Sequence, residues 1–231
     1  KVGICQLVKH EALDEATRGF RQALVDKFGE DGVVIDEQNA AGANDTCTTI
    51  VNNFVSQKVD LIMANATGAL QAAYNATTEI PVLGTSITEY SVALELENFN
   101  GTVGGNISGT SDLAPLDEQA QMILDFFPSV KKVGLLYCSG EPNSQYQIDV
   151  VKAFLEGKGV TCTEYKFADS NDVAMIAEKA AADSEVLYVP TDNTAASCAE
   201  TINNVVLPTK TPIIAGEEGI AKGCGIVTLS I

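Results

Sequence analysis

The sequence contains no tryptophan, a single histidine, His10, and only two arginines, Arg18 and Arg21. One histidine excludes a zinc site built from several imidazoles, and it excludes a Ser-His-Asp relay assembled away from residue 10. Both arginines fall on one predicted helix, so no bidentate guanidinium clamp is available elsewhere for an anion. An anionic ligand group would have to be held by other donors.

The sequence also lacks closely paired cysteines and long apolar runs. No apolar run approaches the ~18 to 20 residues of a membrane-spanning helix, so we expect no direct membrane insertion of this chain. The cysteines form no CxxC pair, which favours small buried hydrophobic residues over a disulfide framework or a metal site. They are Cys5, Cys47, Cys138, Cys162, Cys198 and Cys224.

Positive charge is scarce. The 231 residues include 31 Asp and Glu against 14 Lys and Arg, which gives a net charge of −17. Binding to a phosphate backbone depends on Lys and Arg displacing counterions, so nucleic acid is excluded as a partner. The Gly-rich segment GTVGGNISG, ending at Gly109, lacks the lysine of a phosphate-binding loop and is interpreted as a crossover or hinge.

Short apolar runs alternate with amphipathic stretches of helical length, a pattern typical of an α/β fold with a parallel sheet. The predicted strands are Val2–Leu7, Val33–Asp36, Asp60–Ala64, Ile80–Leu83, Lys132–Tyr137, Thr161–Lys166, Glu185–Val189, Pro212–Ala215 and Ile226–Ser230. The predicted helices are Leu13–Lys27, Asp45–Gln57, Ala69–Thr77, Gln145–Glu156, Asp172–Ala182 and Ala195–Val206.

The two halves of the chain resemble each other. Lys1-Val-Gly-Ile matches Lys132-Val-Gly-Leu, and Ile80-Pro-Val-Leu-Gly matches Thr211-Pro-Ile-Ile-Ala at the same offset. A repeat of this length indicates a duplicated lobe. We therefore predict two doubly wound parallel-sheet lobes, residues 1–110 and 111–231, with a ligand cleft between them. One continuous sheet with accidental similarity is the alternative.

Polar residues follow most predicted strands, where open parallel sheets bind their ligands. Thr67 and Gly68 open a helix and offer backbone N–H groups to a carboxylate. Acidic residues at other strand ends suit an ammonium group, with Asp192 as first choice and Glu141 and Glu217 as reserves. Together these donors and acceptors describe a free amino acid as ligand. For each of these side chains, ordinary helix capping or a solvated charge is the alternative.

Aromatic side chains near these strand ends, among them Tyr90 and Tyr137, are candidates to line a side-chain pocket. Tyr137 is equally well explained as a core residue of its strand. His10, close to the end of the first predicted strand, is a further candidate for the site. A capping or surface position is its alternative.

The motifs GICQLVKHEALDEATRGFRQAL, ATGALQAA, IPVLGTSITEY, VGLLYCSGEPNSQYQ, VPTDNT and AGEEG resemble those of ABC transporter substrate-binding proteins for tryptophan, tyrosine and phenylalanine. The resemblance covers nearly the whole chain and implies a periplasmic-binding-protein-like fold of type I that closes on an aromatic amino acid. It carries ligand-binding roles onto Gln6, His10, Thr67, Gly68, Ser86, Glu89, Ser139, Glu141, Asn143, Ser144, Thr191, Asp192, Asn193 and Glu217.

The same resemblance implies a monomer that is exported, is held at the outer face of the cell membrane by a lipid anchor, works with an ABC permease, and needs no cofactor. The chain departs from the family at Lys9 and Glu11, and at Thr88-Glu89-Tyr90. It also stops at Ile231, where family members continue in a segment that returns to the first lobe, so we expect a truncated chain.

The sequence is compatible with two alternative functions. A two-lobed amino-acid racemase would place one catalytic cysteine in each lobe, with Cys138 in the second. Its partner position by the repeat is Leu7, which has no thiol. A ligand-sensing receptor domain built from the same lobes is the other alternative.

Overall fold

The computed structural model describes residues 1–230 and divides the chain into two compact units, the first covering Lys1–Asp112 and the second beginning at Leu113. The sequence placed the division between residues 110 and 111. Each unit contains one parallel five-stranded sheet with helices on both faces.

The first unit is built on a sheet in the order β2-β1-β3-β4-β5. Its strands are β1 (Val2–Gln6), β2 (Ile35–Asn39), β3 (Leu61–Asn65), β4 (Val82–Ile87) and β5 (Ile107–Ser111). Its helices are α1 (Glu11–Phe28), α2 (Asn44–Ser56), α3 (Thr67–Ala76) and α4 (Tyr90–Ala93), with a 3-10 turn at Glu30–Gly32. All five residues of β1 are buried, as expected for a central strand covered on both faces.

The second unit has its sheet in the order β7-β6-β8-β9-β10. The strands are β6 (Lys132–Cys138), β7 (Thr161–Phe167), β8 (Val186–Val189), β9 (Ile213–Ala215) and β10 (Val227–Thr228). The helices are α5 (Leu116–Phe126), α6 (Pro142–Gly157), α7 (Val173–Asp183), α8 (Asn193–Ser197), α9 (Ala199–Val206) and α10 (Glu218–Gly223), with a 3-10 turn at Leu207–Thr209.

The sequence repeat corresponds to a repeat of topology. If β6 is equated with β1, the two sheets have the same strand order, and the matched sequences fall on β1 and β6 and on β4 and β9. The predicted class, two doubly wound α/β lobes, is confirmed. In such sheets the first strand lies inside and the chain then winds outward in both directions, which brings the carboxyl ends of adjacent strands to one edge.

Two predicted elements differ from those observed, and some observed elements were not predicted. The helix expected over 195–206 is two helices, because the chain breaks at Cys198. The Gly-rich segment interpreted as a crossover or hinge ends within strand β5, where only Ile107 is buried. An edge strand of Ser, Gly and Thr carries no apolar alternation, so the pattern did not reveal it. Helices α4, α5 and α10 were likewise not predicted.

All six cysteines are free thiols. Cys5, Cys47 and Cys138 are buried, as expected of small hydrophobic residues, whereas Cys162, Cys198 and Cys224 are only partly buried.

Candidate functional site

In the first unit, the predicted site residues gather at one edge of the sheet. Strands β1, β3 and β4 are neighbours and run parallel, so their carboxyl ends lie side by side. Residues predicted to bind ligand lie at the end of each of these strands or directly after it. These are Gln6 at the end of β1, Thr67 and Gly68 after β3, and Ser86 and Glu89 at and after the end of β4.

Gln6 is used to brace the loop that follows β1. Its side-chain nitrogen donates to Val8 O at 2.8 Å and to Asp14 Oδ1 at 2.6 Å, and its oxygen accepts from Thr17 Oγ1 at 2.6 Å. Only 4% of Gln6 is exposed. The side chain thereby fixes the segment leading to His10, which is half-buried at the N-cap position of α1.

Helix α3 begins without a side-chain cap. Its N-cap residue is Ala66, which has no acceptor and adopts a φ of 88°. The first N–H groups of a helix have no partner within the helix, and they carry the positive end of its dipole. Thr67 is only 2% exposed, so these donors lie in a buried setting. A ligand carboxylate is the kind of acceptor that such a helix start lacks.

Gly68 has a packing role beside its predicted binding role. A Cβ placed there would come within 2.2 Å of Asn44 Oδ1 and 3.4 Å of Leu7 Cδ1. The absence of a side chain therefore lets Asn44 lie over the start of α3. We expect a bulky β-branched residue at position 68 to lower stability, because its methyl groups would meet these two side chains.

Strand β4 is irregular where it carries Ser86. Between Gly84 and Ile87 its register against β5 shifts by one residue, and Ser86 has a φ of 57°. Bulges and positive φ values in residues other than glycine cost energy and are found near functional sites. Glu89 follows as the N-cap of α4 and accepts hydrogen bonds from Ser91 N at 2.9 Å and Ser91 Oγ at 2.8 Å.

The second unit repeats this arrangement at the carboxyl ends of β6, β8 and β9, which are adjacent in the sheet. The predicted residues are Ser139, Glu141, Asn143 and Ser144 after β6, Thr191, Asp192 and Asn193 after β8, and Glu217 after β9.

Asp192 is 1% exposed and both of its carboxylate oxygens are occupied. Oδ1 accepts from Ala195 N at 2.7 Å, so Asp192 caps α8, and Oδ2 accepts from Cys138 N at 2.7 Å. Burial, with the nearby carboxylate of Glu141 as a second cause, raises the pKa of Asp192 to about 8. The cap alternative is thus present in the structure, and the ammonium contact stays a prediction.

Glu141 links the loop after β6 to the loop after β8. Its Oε2 accepts from Asn193 N at 3.0 Å and from Asn193 Nδ2 at 2.7 Å. Its Oε1 accepts from Thr194 N at 2.8 Å and from Thr194 Oγ1 at 2.7 Å. The side chain is 6% exposed, so Glu141 and Asp192 are two buried carboxylates serving the same short helix. Glu217 is half-buried and caps α10 through Gly219 N at 2.7 Å and Ile220 N.

The remaining residues of this edge are held by the chain around them. Ser139 is exposed and donates to Phe167 O at 3.2 Å, and Thr191 Oγ1 donates to Gly216 O at 3.3 Å. Asn143 and Ser144 are buried in the first turn of α6. Within residues 1–230, the Oδ1 atom of Asn143 has no hydrogen-bond partner. A buried acceptor of this kind is available to a ligand donor.

Tyr137 is the next-to-last residue of β6, and its side chain is in the core. Its ring is fully buried in the core between β6 and α6, and its hydroxyl group bonds to Gln145 Oε1 at 2.6 Å and Glu164 Oε2 at 2.7 Å. The core alternative is therefore present in the structure, and the pocket-lining role stays a prediction. Lys152 and the Tyr137 hydroxyl group are the main causes that lower the pKa of Glu164 to about 2.

Cys138 has the properties of a structural thiol. Burial, and secondarily the carboxylate of Asp192, raises its pKa to about 11, and its Sγ lies 3.5 Å from Ala168 O. Catalytic cysteines instead need a lowered pKa, because the thiolate is the reactive form. This environment gives no support to a racemase.

In the described part of the chain, no three His, Cys, Asp or Glu side chains are grouped so as to hold a metal ion. No helix within residues 1–230 combines the length and the apolar character that crossing a bilayer requires.

Comparison with known proteins decides the family. Residues 1–231 match the family described as ABC transporter substrate binding protein. The chain belongs to this family. Its members bind solutes and are not enzymes, which removes the racemase alternative and confirms the resemblance found in the motifs.

This substrate-binding protein has relatives of known ligand or structure. It is 39% identical, over 97% of its own length and 67% of the relative, to a tyrosine-binding protein of Clostridioides difficile strain R20291. It is 30% identical to the crystal structure of an ABC domain in complex with L-Trp from Streptococcus pneumonia, covering 97% of this chain and 77% of that one, with a TM-score of 0.90. A ligand-free, open structure of a substrate binding protein with adhesive properties from Clostridium difficile is 36% identical, covers 96% of this chain and 76% of that one, and has a TM-score of 0.63.

Several supporting residues of the substrate-binding protein were not predicted. Gln147 is fully buried and holds Thr191 from both sides, accepting from its N–H at 3.0 Å and donating to its carbonyl at 2.8 Å. Asn65 donates to Leu13 O at 2.8 Å and to Thr17 Oγ1 at 3.0 Å. These partners are far apart in sequence, so no local signal marked them.

Proposed function

We propose that this protein captures a free L-aromatic amino acid, Trp, Tyr or Phe, by closing its two units around it, and delivers it to an ABC permease. The observation that carries the proposal is the uncapped, buried start of α3 at a sheet edge that also carries Gln6, Ser86 and Glu89. The relatives named for Tyr and complexed with L-Trp support the aromatic side chain of the ligand.

The ligand carboxylate would bind the backbone N–H groups at Thr67 and Gly68. The protein has no spare arginine for this purpose, and a helix start supplies both the donors and the favourable dipole. Supporting this site, Ala66 leaves the N-cap position without a side-chain acceptor.

The ligand ammonium group would bind an acid of the second unit. Asp192 remains the first choice, with Glu141 and Glu217 as reserves, because an ammonium group needs charged or carbonyl acceptors. All three carboxylates already accept backbone N–H groups, which fixes their orientation. Each oxygen of Asp192 and of Glu217 accepts one hydrogen bond and retains a further lone pair for a ligand donor. Each oxygen of Glu141 already accepts two, which makes Glu141 the weaker reserve.

The wider setting follows from the same proposal. As a substrate-binding protein of an ABC transporter, the protein would act outside the cytoplasm as a monomer, held near its permease by a lipid anchor on the outer face of the cell membrane. No cofactor takes part in capture and release.

The experiment uses the absence of tryptophan from the chain. Titration of the protein with L-Trp is followed by the fluorescence of the ligand itself, and calorimetry gives the affinities for L-Tyr and L-Phe. We expect saturable 1:1 binding of at least one aromatic amino acid and no consumption or racemisation of it. D-Trp, L-Leu and a monosaccharide are the comparison ligands. Binding of the sugar with no binding of any aromatic amino acid would overturn the proposal.

The ammonium contact is tested with indole-3-propionate, which keeps the ring and carboxylate of Trp but lacks the amino group. Loss of a charge-assisted hydrogen bond of ~1.5–3 kcal/mol should weaken binding by about 10- to 150-fold. In Asp192→Asn, Glu141→Gln and Glu217→Gln, the variant that removes the contacting acid should bring the two ligands to similar affinity. If all three keep the wild-type ratio, the ammonium group is not bound by any of these acids.

A further inference from the structure

The side chain of Tyr90 connects the segment that follows β4 back to the irregular part of that strand. The chain leaves β4, passes Glu89 and turns back at the first residue of α4, so that Tyr90 Oη comes to lie 3.2 Å from Gly84 O. The same oxygen is 3.3 Å from Thr110 O in the neighbouring strand β5. The hydroxyl group thus bridges carbonyl groups of two strands at the register shift.

Two facing glycines make room for this hydroxyl group. Gly84 and Gly109 are partners in the β4–β5 pairing. A Cβ at Gly84 would lie 2.5 Å from Tyr90 Oη, and one at Gly109 would lie 2.2 Å from it. The phenol therefore fills the space that both missing side chains leave, and nothing larger than glycine fits with it.

The hydroxyl group of Tyr90 keeps its proton and so remains a hydrogen-bond donor. Tyr90 is 6% exposed, and burial, with the nearby Asp112 as a second cause, raises its pKa to about 12. It stays protonated throughout the neutral range. The segment that it closes, residues 84–90, contains the strained Ser86 and the cap residue Glu89, both predicted to bind ligand.

We infer that Tyr90 is a positioning residue of the ligand site: its hydroxyl group, held between Gly84 O and Thr110 O, fixes the bulge of β4 and so the placement of Ser86 and Glu89. The expected effect of Tyr90 on affinity rests on the proposed function. Its expected effect on the bulge does not depend on any ligand. Tyr90 itself touches no ligand in this role.

The test compares Tyr90→Phe with Tyr165→Phe. Tyr165 is also buried, at 7% exposure, and its hydroxyl bonds to Asp183 at 3.3 Å in the second unit. Both variants lose one hydrogen-bonded hydroxyl, so we expect similar small losses of melting temperature. Only Tyr90→Phe should weaken L-Trp binding, by about 3- to 10-fold, the worth of one neutral hydrogen bond. Equal affinity in Tyr90→Phe and wild type would overturn the inference.

A double-mutant cycle tests the contact between Gly84 and the Tyr90 hydroxyl group. In Gly84→Ala the three atoms nearest to the new methyl group belong to the side chains of Tyr90 and Ile87, so it should displace the hydroxyl and weaken binding as Tyr90→Phe does. In the Tyr90→Phe background the closest of these contacts is gone, and Gly84→Ala should add little. Additive effects would show that the two residues act independently, contrary to the inference.

Hydrogen exchange of the ligand-free protein separates this inference from the proposed function. We expect faster amide exchange in residues 84–90 for Tyr90→Phe and no change there for Tyr165→Phe. If wild type binds no aromatic amino acid, the proposed function fails and the exchange rates alone decide the positioning role. Unchanged exchange in Tyr90→Phe overturns it in either case.

Discussion

The side chain of Asp192 holds the backbone of Cys138, 54 residues earlier in the chain, through a hydrogen bond of 2.7 Å from Cys138 N–H to Oδ2. Its other oxygen caps α8 through Ala195 N at 2.7 Å. One buried carboxylate therefore ties the end of β6 to the segment after β8. Because both contacts are to backbone donors, the acid needs two acceptor oxygens.

Asp192→Asn should destabilise the fold by about 1–3 kcal/mol, the cost of leaving a buried donor without an acceptor. Asparagine caps helices nearly as well as aspartate, but its NH2 group would face one of the two backbone N–H groups. The substitution is therefore expected to cost stability even though Asp192 is a helix cap. Urea unfolding measures the effect, with the exposed Asp149→Asn as control, which should stay within about 0.5 kcal/mol of wild type. A variant as stable as wild type would contradict the double contact.

Stability should also fall as pH rises, because Asp192 has a raised pKa in the folded state. A carboxyl group whose folded pKa lies above its unfolded value of about 3.9 binds its proton more tightly when folded. Its contribution is complete below pH ~4 and is lost as pH rises towards about 8.

The measurement is the free energy of unfolding of wild type and Asp192→Asn between pH 5 and pH 9. Between the two pKa values, one such group gives a slope of up to about 1.4 kcal/mol per pH unit. We expect the difference between the two proteins to shrink steadily with rising pH. A difference that is constant, or that grows, would mean that Asp192 is ionised throughout.

Tyr137→Phe should reduce stability and leave affinity unchanged. The variant loses the hydrogen bonds from the hydroxyl group to Gln145 and to Glu164, of which the second is charge-assisted, so a loss of about 1–3 kcal/mol is expected. The ring stays in the core and the sheet edge is untouched. Thermal unfolding and L-Trp titration measure the two effects. Weakened binding at a temperature where the variant is fully folded would support the pocket-lining role.

The sequence predicts the strands well where they are apolar, and it predicts poorly what the side chains at their ends do. β6 was expected over 132–137 and is found at Lys132–Cys138, because an unbroken apolar run marks a buried parallel strand. β5 was missed because Ser and Gly carry no such pattern.

The positions of the site residues follow from the strand ends, but their roles do not. Glu89, Asp192 and Glu217 are all helix N-caps, and capping uses the same residue types at the same places as ligand binding. Only distant partners distinguish the two roles, as Cys138 does for Asp192. Such partners are set by the packing of the sheet and have no local signature in the sequence.

Gly68 offers the sharpest test of carboxylate binding at α3. A Cβ there displaces the oxygen of Asn44, which is the far end of an exposed side chain and free to rotate, and alanine is a better helix former than glycine. We therefore expect Gly68→Ala to fold with near wild-type stability. Gly68→Val should be less stable by about 1–3 kcal/mol, because its methyl groups also reach Leu7.

The affinity of Gly68→Ala should nevertheless fall by about tenfold or more, because the new methyl group stands where a ligand must approach the helix amides. Asn44→Ala is the matched control: it removes the displaced side chain while keeping the glycine, and it should leave most of the affinity in place. Tryptamine, which lacks the carboxylate, should bind wild type and Gly68→Ala equally. If Gly68→Ala binds L-Trp as tightly as wild type does, or if it loses tryptamine and L-Trp in the same proportion, the carboxylate does not lie against the start of α3.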